Sequence, residues 1–221
     1  MLPQLLKHTT KSILHFFMKR SEEQIKRQID AHDIISFDVF DTLIERKCGR
    51  PENVFRILQE QLNDEGFMRR RIIAERKARV LTSKEDVTLD DIYQMYESAS
   101  EDQRNQYQQA ELACEKEQSI IQPKGKRLYD AAIQAGKTVL IISDMYLPSG
   151  FIEEMLNQSG YVGYKRLYVS SECGLRKKTG RLYQLVREEL NMNPNNWLHI
   201  GDDVITDWRG AKRARLQGVI I

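Results

Sequence analysis

The chain has 221 residues, of which 41% are hydrophobic and 30% charged, which is enough apolar material for one α/β core with a modest insertion. Its 34 basic and 32 acidic residues leave a net charge of +2, so the charge balance gives no argument for nucleic-acid binding. The three cysteines, Cys48, Cys114 and Cys173, lack the spacing of a zinc site or a disulfide framework and favour a reducing, cytoplasmic location.

The first 33 residues are predicted to form a helical extension ahead of the main domain. Several apolar residues lie roughly on one helical face near the N-terminus: Leu6, Ile13, Leu14, Phe17 and Met18. Lysine and histidine side chains interrupt every apolar run before it reaches membrane-spanning length, so we predict no transmembrane segment. We expect the apolar face to pack against the domain or a partner, and weak attachment to a membrane surface is the alternative.

Several short apolar runs have the length and residue types of buried strands. They are IISFDVF (34–40), TVLIISD (138–144), RLYVSS (166–171), WLHIGDD (197–203) and GVII (218–221). Helical patterns such as FIEEMLNQ and RLYQLVREEL lie between the later runs, and this alternation is typical of right-handed βαβ crossovers. We therefore predict an α/β fold with a Rossmann-like, doubly wound parallel sheet.

The stretch between the first two of these runs has a different pattern. It contains helix patterns, such as VFRILQEQL and the segment after Thr88, and no convincing strand. We predict a helical cap over residues 48–122, inserted into a core domain that is formed by residues 34–47 and 123–221.

The predicted cap carries an arginine-rich run, RRRIIAERKAR. Arg71, Glu75 and Arg79 fall at i, i+4 spacing within this run. We expect a solvated helix face with surface ion pairs, and recognition of an anionic substrate is the alternative.

Polar residues follow four of the predicted strands, at the edge where open parallel sheets bind ligands. They are Asp38 and Asp41, Ser143 and Asp144, Ser170 and Ser171, and Asp202 and Asp203. Carboxylates that converge from separate strands repel one another, and a divalent cation between them removes that repulsion. Because hard oxygen ligands favour Mg²⁺, the pattern predicts a magnesium site. A lysine pair further on supplies a cation that can neutralise phosphate oxygens and restrain a nucleophilic carboxylate.

The motifs FDVFDTL, IIS, a downstream lysine and GDDVITD occur in this order, and together they resemble the four motifs of the haloacid dehalogenase superfamily. The resemblance implies that Asp38 is the nucleophile, that Ser143 binds the phosphoryl group and that Lys177 is the stabilising lysine. It implies also that Asp202 holds Mg²⁺. Lys178 is the alternative lysine.

The resemblance covers about residues 34–221, and the position of the helical insertion is similar to that of a type-1 cap. More narrowly, ISFDVFDTLIER, SDMYLP, SSE and HIGDD are similar to a bacterial subgroup of predicted hydrolases that is often associated with or fused to polysaccharide glycosyltransferases. This association implies a phosphorylated sugar or polyol as the substrate, and a glycosyltransferase domain or protein as a partner.

One position departs from the superfamily pattern. Most phosphatases of the superfamily carry an acid two residues after the nucleophile, where it protonates the leaving oxygen and later activates water. Here that position is Phe40, and Asp41 lies one residue further on. Because side chains alternate along an extended strand, the role of Asp41 as the catalytic acid stays open.

The acidic residues of the last motif favour one reaction class over another. A dehalogenase needs neither the acid nor a metal, whereas Asp202, Asp203 and Asp207 are the carboxylates expected of a metal site. We therefore predict a Mg²⁺-dependent hydrolase of small phosphate esters that acts through an aspartyl-phosphate on Asp38. A catalytically weak domain that binds a phosphorylated ligand or a glycosyltransferase is the first alternative, and a dehalogenase is the second.

Three further residues have two interpretations each. Asp207 either supports the metal site, as a ligand or behind one, or is a charge at a helix N-terminus. Asp144 either binds substrate or pairs with a cap residue, or it caps the turn before Pro148, which we favour. His199 alternates with apolar neighbours, so we expect a hydrogen-bonded core histidine and not a catalytic base.

Overall fold

The computed structural model of the protein describes residues 18–221, so the amphipathic face predicted for the N-terminal segment lies mostly outside the described residues. Its strands are β1 (Ile34–Phe37), β2 (Ile44–Arg46), β3 (Ser119–Ile121), β4 (Thr138–Ser143), β5 (Arg166–Val169), β6 (Trp197–Gly201) and β7 (Gln217–Ile220). Its α-helices are α1 (Glu22–Asp30), α2 (Glu52–Gln61), α3 (Phe67–Leu81), α4 (Leu89–Gln94), α5 (Glu101–Gln118), α6 (Pro123–Gln134), α7 (Ser149–Gln158), α8 (Ser170–Cys173), α9 (Arg181–Glu189) and α10 (Gly210–Arg213). Short 3₁₀ turns cover Lys177–Thr179 and Pro194–Asn196, and a π-helical turn covers Val204–Arg209.

The central sheet is parallel and has the strand order β5-β4-β1-β6-β7. β1 pairs with β4 on one side and with β6 on the other, and Phe37 lies opposite both Ile141 and Ile200. The chain passes outward from β4 to β5 on one side of β1 and from β6 to β7 on the other, so the strand order reverses beside β1. This arrangement confirms the predicted doubly wound α/β fold, in which ligands bind at such a switch point.

Helices cover both faces of this sheet, which is why its strands are apolar. The faces bury alternate residues of each strand, as the pleat requires. Val139 and Ile141 of β4 pack in the cluster that contains α1, α6 and α7, whereas Leu140 and Ile142 pack with α9 and α10. All the residues of β1 and β6 are buried.

The N-terminal end of the described chain is tied to the sheet, because the N–H of Arg20 donates to Ile220 O of β7 at 3.0 Å. α1 begins with a capping box, in which Ser21 Oγ accepts from Gln24 N at 3.2 Å and Gln24 Oε1 accepts from Ser21 N at 3.0 Å. Ile25 and Ile29 of this helix are buried. Among residues 18–221, the helices are too short or too polar to cross a membrane.

A two-stranded antiparallel ribbon, β2 with β3, carries a helical insertion made of α2 to α5 (52–118). Ile44 lies opposite Ile121 and Arg46 lies opposite Ser119, so the two ends of the insertion leave the core side by side. The expectation of no strand in this stretch is therefore wrong for β3. Three residues are too few to show an alternating pattern, and the partner strand lies on the far side of the insertion. The division into core and cap domains stays a prediction.

The arginine-rich run of α3 matches the expected solvated face only in part. Arg76 is exposed, and Glu75 accepts from Arg79 Nε at 2.9 Å, as the i, i+4 spacing predicted. Arg71 is fully buried, and its Nε and Nη2 each donate to Glu111 of α5 at 2.7 Å. The predicted i, i+4 partner Glu75 accepts from Arg71 Nη1 at 3.1 Å. The guanidinium lies 4.6 Å from the ring centre of Phe55 and 4.9 Å from that of Tyr146, so it also packs against the core. Spacing within one helix could not show this partner on another helix.

Candidate active site

The carboxyl ends of β1, β4 and β6 place polar side chains along one edge of the sheet. Asp38 follows β1, Ser143 ends β4 with Asp144 beside it, and Asp202 follows β6. The main-chain N–H of Asp38 donates to Ile200 O at 2.9 Å, so the pairing of β1 with β6 fixes where Asp38 leaves the sheet. The sheet therefore gathers the predicted residues at one edge.

Lys177 is the lysine that reaches this edge. Its side chain is buried, and its Nζ donates to Asp38 Oδ1 and to Asp207 Oδ1 at 2.6 Å each. A Cβ at Gly210 would overlap the main-chain oxygen of Lys177, so the absence of a side chain at Gly210 permits this approach. Lys178, the alternative lysine, is exposed to solvent. The structure thus places Lys177, and not Lys178, beside the candidate nucleophile.

The carboxylate of Asp207 is fully buried and is held by several donors. Its Oδ1 accepts from Lys177 and from His199 Nε2, the latter at 3.2 Å, and its Oδ2 accepts from the N–H of Asp203 at 2.8 Å. A Cβ at Gly201 would overlap this carboxylate, so the glycine before the two aspartates is needed for close packing. Asp207 is therefore a buried part of the site and not a solvent-exposed helix charge.

His199 is a buried histidine with partners on both ring nitrogens, as we expected. Its Nδ1 lies 2.8 Å from Ser36 Oγ, and Trp197 Nε1 donates to the same hydroxyl at 2.8 Å. Burial lowers the pKa of His199, which favours the neutral ring that donates from Nε2 to Asp207. The series of hydrogen bonds from Trp197 through Ser36 and His199 to Asp207 fixes the orientation of the Asp207 carboxylate.

The site buries more negative than positive charge. Asp38, Asp202 and Asp207 each have an oxygen within 4.8 Å of the others. Burial raises the pKa of Asp38 to about 7, although Lys177 opposes this rise, and burial with the neighbouring carboxylates raises the pKa of Asp202 to about 8. Burial acts against ionisation of Asp207 too, but Lys177 and His199 together outweigh it and hold the pKa of Asp207 well below its usual range. Burial opposes the charge of Lys177, yet the surrounding carboxylates raise its pKa above its usual value.

The carboxylate oxygens of the site are suitable ligands for a hard divalent cation. Within residues 18–221 the carboxylate of Asp202 accepts no hydrogen bond, and one oxygen of Asp38 is bound by Lys177. The raised pKa values of Asp38 and Asp202 reflect burial and carboxylate repulsion, and a cation between them favours their ionised forms. Asp207 is within reach of the same position, but both of its oxygens already accept hydrogen bonds.

Asp144 holds the segment that carries Lys177. Its Oδ1 accepts from the N–H of Lys177 at 2.8 Å, and its Oδ2 lies 3.4 Å from Arg176 Nε. Burial raises the pKa of Asp144, and Lys177 and Arg176 oppose that rise. Both carboxylate oxygens therefore contact the core segment 176–177. Asp144 thus does not have the role that we favoured, capping the turn before Pro148, and its ionic partner is not a residue of the insertion. Ser143, one residue earlier, is buried at the end of β4.

Phe40, in the usual position of the acid, is buried beneath an arginine. The guanidinium of Arg46 lies 4.4 Å from the ring centre of Phe40, and its Nε and Nη2 donate to Glu115 at 2.8 and 3.2 Å. Asp41 is exposed and has a φ of 58°, which turns the chain after β1, and its N–H donates to Ile44 O at 2.7 Å. Partial burial raises the pKa of the Asp41 carboxylate.

A cleft of about 500 Å³ lies between this edge of the sheet and the helical insertion. Asp41 and Asp144 line it from the core, and Phe55, Ile72 and Arg76 line it from the insertion. A volume of this size suits a small metabolite.

Sequence reasoning missed several ionic residues that border the cleft, among them Arg46, Asp86 and Arg176. Arg176 was visible as the first residue of the RKK run, next to the lysine that we singled out, and it contacts Asp144. Asp86 is buried in a loop of the insertion, where no periodic pattern applies. Arg46 is the last residue of the segment ISFDVFDTLIER, so its closeness in sequence to Asp38 could have indicated that it borders the site.

Solved structures resemble this chain closely enough to show its fold. A HAD-hydrolase from Bacillus subtilis, bound to magnesium, has a TM-score of 0.59 at 19% identity, with 84% of this chain and 86% of that chain covered. A haloacid dehalogenase-like family hydrolase from Xanthomonas campestris has a TM-score of 0.58 at 17% identity, with 85% and 79% covered. The L-2-haloacid dehalogenase from Xanthobacter autotrophicus has a TM-score of 0.56 at 14% identity, with 84% and 75% covered.

No family model and no curated protein matches the sequence. At these identities the structural likeness shows the fold alone. The chain has the fold of haloacid dehalogenase-like hydrolases, and the proteins that share it include a magnesium-bound hydrolase and a dehalogenase.

Proposed function

We propose that the protein belongs to the haloacid dehalogenase superfamily and is a Mg²⁺-dependent hydrolase of small phosphate esters. The observation that carries the proposal is the cluster of three carboxylates around Lys177, of which Asp38 and Asp207 are buried and Asp202 is half-buried. Burying carboxylates next to one another costs free energy unless a cation balances them. A dehalogenase needs no metal and gains nothing from this excess of negative charge, whereas phosphoryl transfer uses the cation directly.

In the first step, Asp38 attacks the phosphorus of the ester, and the bond from phosphorus to the leaving oxygen breaks as the aspartyl-phosphate forms. Lys177 holds Asp38 in place and neutralises phosphoryl oxygens, and the Ser143 hydroxyl donates to one of them. Asp38 and Asp202 are the residues that would hold Mg²⁺, which when bound neutralises charge on the phosphoryl group. Asp207 keeps Lys177 in position, because both of its oxygens are already used by protein donors.

Proton transfer in this scheme is assigned to Asp41. It lines the cleft from the core, and partial burial raises the pKa of its carboxyl, which is the direction expected of a general acid. In the second step, Asp41 takes a proton from the water that attacks the aspartyl-phosphate. Phosphate leaves and the Asp38 carboxylate is restored.

A phosphorylated sugar or polyol is the proposed substrate class, and a glycosyltransferase is the proposed partner. Both proposals come from the sequence resemblance. The cleft supports a small polar substrate, because its walls carry both carboxylates and guanidinium groups, such as Asp41 and Arg76.

A phosphate-release screen of sugar phosphates, polyol phosphates and nucleotides tests the proposal. We expect release from at least one ester with Mg²⁺ and none with a chelator. Asp38→Asn is the inactive variant, and Asp90→Asn, which removes an exposed carboxylate of the insertion, is the matched control. Equal release by wild type and Asp38→Asn would reject the nucleophile, and halide release from a 2-haloacid without metal would favour a dehalogenase.

The burial of Phe40 under Arg46 favours a second candidate, a domain that binds a phosphorylated ligand with little turnover. General acid catalysis contributes roughly 10² to 10⁴ in rate, so an enzyme without a replacement acid would be slow. Mg²⁺-dependent binding of a phosphorylated sugar without phosphate release would support this candidate over the first.

A further inference from the structure

The loop between α3 and α4 fastens the helical insertion to the core through an acidic pair, Glu85 and Asp86. Glu85 Oε2 accepts from the N–H of Arg176 and from Thr179 Oγ1 at 2.8 Å each, and its Oε1 accepts from Arg181 Nη1 at 2.8 Å. All of these donors belong to the segment of the core that carries Lys177. One carboxylate of the insertion is therefore shared by a main-chain N–H and two side chains of that segment.

Asp86 makes a second connection and is only 1% exposed. Its Oδ2 accepts from Ser170 Oγ, just after β5, and lies 3.7 Å from Arg176 Nε. Its Oδ1 accepts from Arg79 of α3 and from the N–H of Val87 at 3.0 Å. The carboxylate thus links a helix of the insertion to two points of the core.

Main-chain hydrogen bonds complete the attachment. The N–H of Glu85 donates to Gly174 O at 3.1 Å, and the N–H of Leu89 donates to Tyr146 O at 2.9 Å. Gly174 precedes the Lys177 segment, and Tyr146 follows Asp144. The loop of the insertion is therefore attached to both core loops that border the site.

We propose that Glu85, together with Asp86, is a positioning residue that sets the location of Lys177. The N–H of Lys177 is fixed by Asp144, and that of its neighbour Arg176 is fixed by Glu85, so carboxylates from both the core and the insertion define the main chain at this point. The hydrogen bonds from Arg176, Thr179 and Arg181 outweigh the effect of burial and lower the pKa of Glu85, so the acceptor is ionised and its bonds are charge-assisted. Glu85 acts through Lys177 and does not contact the reacting atoms.

The expected effect of Glu85 on catalysis rests on the proposed function. Its effect on the position of the Lys177 segment can be tested without that function. Glu85→Ala removes the acceptor, and Glu85→Gln keeps one acceptor oxygen and is expected to have a smaller effect. Glu97→Ala is the control, because Glu97 is a 68% exposed carboxylate that pairs with Lys77 within the insertion. Amide hydrogen exchange over residues 174–181, read by mass spectrometry without substrate, reports the attachment. The values of kcat and KM for the best ester of the screen report the catalytic effect.

For Glu85→Ala we expect faster exchange over 174–181 and a fall in kcat of about 10- to 100-fold with little change in KM, since small displacements of catalytic groups have costs of this size. Glu97→Ala should leave both unchanged. Unchanged exchange in Glu85→Ala overturns the proposal, and so does a rise in KM at constant kcat, because that pattern belongs to a residue that binds substrate. If wild type releases no phosphate, the proposed function fails, and the exchange result still decides whether Glu85 holds the Lys177 segment.

Discussion

Two regions of the molecule bury charged side chains, and they do so in different ways. In the helical insertion and its ribbon, each buried guanidinium faces a buried carboxylate through two hydrogen bonds: Arg71 with Glu111, and Arg46 with Glu115. At the edge of the sheet, Lys177 faces an excess of carboxylates: Asp38, Asp202 and Asp207. The first region is balanced within the protein, whereas the second keeps an excess of carboxylates. Protonation of Asp38 and Asp202 reduces that excess in the metal-free protein, and the proposed function assigns a cation to the same position.

This difference indicates which buried charged residues stabilise the fold and which are candidates for binding a ligand or a metal. A balanced pair uses its hydrogen-bonding capacity on its partner, so it holds elements together and offers little to a ligand. An unbalanced cluster keeps free oxygens and raised pKa values, which are the properties of a metal site. Mutations should therefore damage folding in the first region and activity in the second.

The largest effect on activity is expected for Asp38→Asn. The amide cannot form the aspartyl-phosphate, so kcat should fall by at least about 10³-fold, as for other nucleophile replacements. Because the change removes one of the repelling carboxylates, the metal-free protein should unfold at the same or a higher temperature than wild type. Steady-state kinetics and thermal unfolding measure the two effects. A variant that is both inactive and strongly destabilised would contradict the contrast between the regions.

The opposite pattern is expected for Glu111→Gln in the insertion. Arg71 would remain buried with only the half-buried Glu75 as a charged partner. Breaking a buried pair typically costs about 3 to 5 kcal/mol of unfolding free energy. Urea unfolding measures this cost, with Glu97→Gln as an exposed control that should change stability by no more than about 0.5 kcal/mol. Similar unfolding free energies for the two variants would show that the buried pair does not stabilise the insertion.

The proposed mechanism assigns the proton transfer to Asp41, and a comparison of two esters with different leaving groups tests this assignment. Asp41→Asn should lower kcat/KM for an alkyl phosphate by about 10²-fold or more, the usual size of a general-acid contribution. For p-nitrophenyl phosphate, whose leaving group needs no proton, the loss should be much smaller. Equal losses for the two esters would remove Asp41 from the role of acid.

The smallest effect concerns pH and metal. The folded-state pKa values of Asp38 and Asp202, about 7 and about 8, lie above the unfolded value of 3.8, so the metal-free fold binds more protons than the unfolded chain. Their contribution to stability is greatest below the unfolded pKa and is lost as the pH rises through the folded values. Mg²⁺ at 100 times its Kd should add about 2.7 kcal/mol. At one fixed Mg²⁺ concentration the added stability should be larger at pH 8.5 than at pH 6, because protons compete with the cation at pH 6.

Thermal unfolding at these two pH values, with and without Mg²⁺, checks this expectation. Asp202→Asn should flatten the loss of stability with pH and abolish the Mg²⁺ effect. A Mg²⁺ shift that is as large in Asp202→Asn as in wild type would place the metal elsewhere.

The sheet was predictable because its signals are local. Each strand is a short apolar run, each crossover helix has its own period, and the polar residues that follow the strands must meet at one edge of a parallel sheet. The positions of Asp38, Ser143, Asp144 and Asp202 follow from this rule alone. The choice of Lys177 over Lys178 came from the family resemblance, and the structure places Lys177 beside Asp38.

The remaining features depend on contacts between distant parts of the chain. Whether Arg71 is solvated or buried depends on Glu111, which lies on another helix. Strand β3 exists because β2 pairs with it across the whole insertion. The role of Glu85 depends on donors in the core, and a loop has no periodic pattern that would indicate them.

Trapping of the covalent intermediate tests the proposed chemistry most directly. Sodium borohydride reduces an aspartyl-phosphate to homoserine, which mass spectrometry locates in the peptide that contains Asp38. With Mg²⁺ and an ester from the screen, we expect this conversion at Asp38 and at no other aspartate, and we expect none when a chelator replaces Mg²⁺. Phosphate release that proceeds with Asp38 unmodified, or to the same extent in the chelator, would contradict a Mg²⁺-dependent reaction through Asp38.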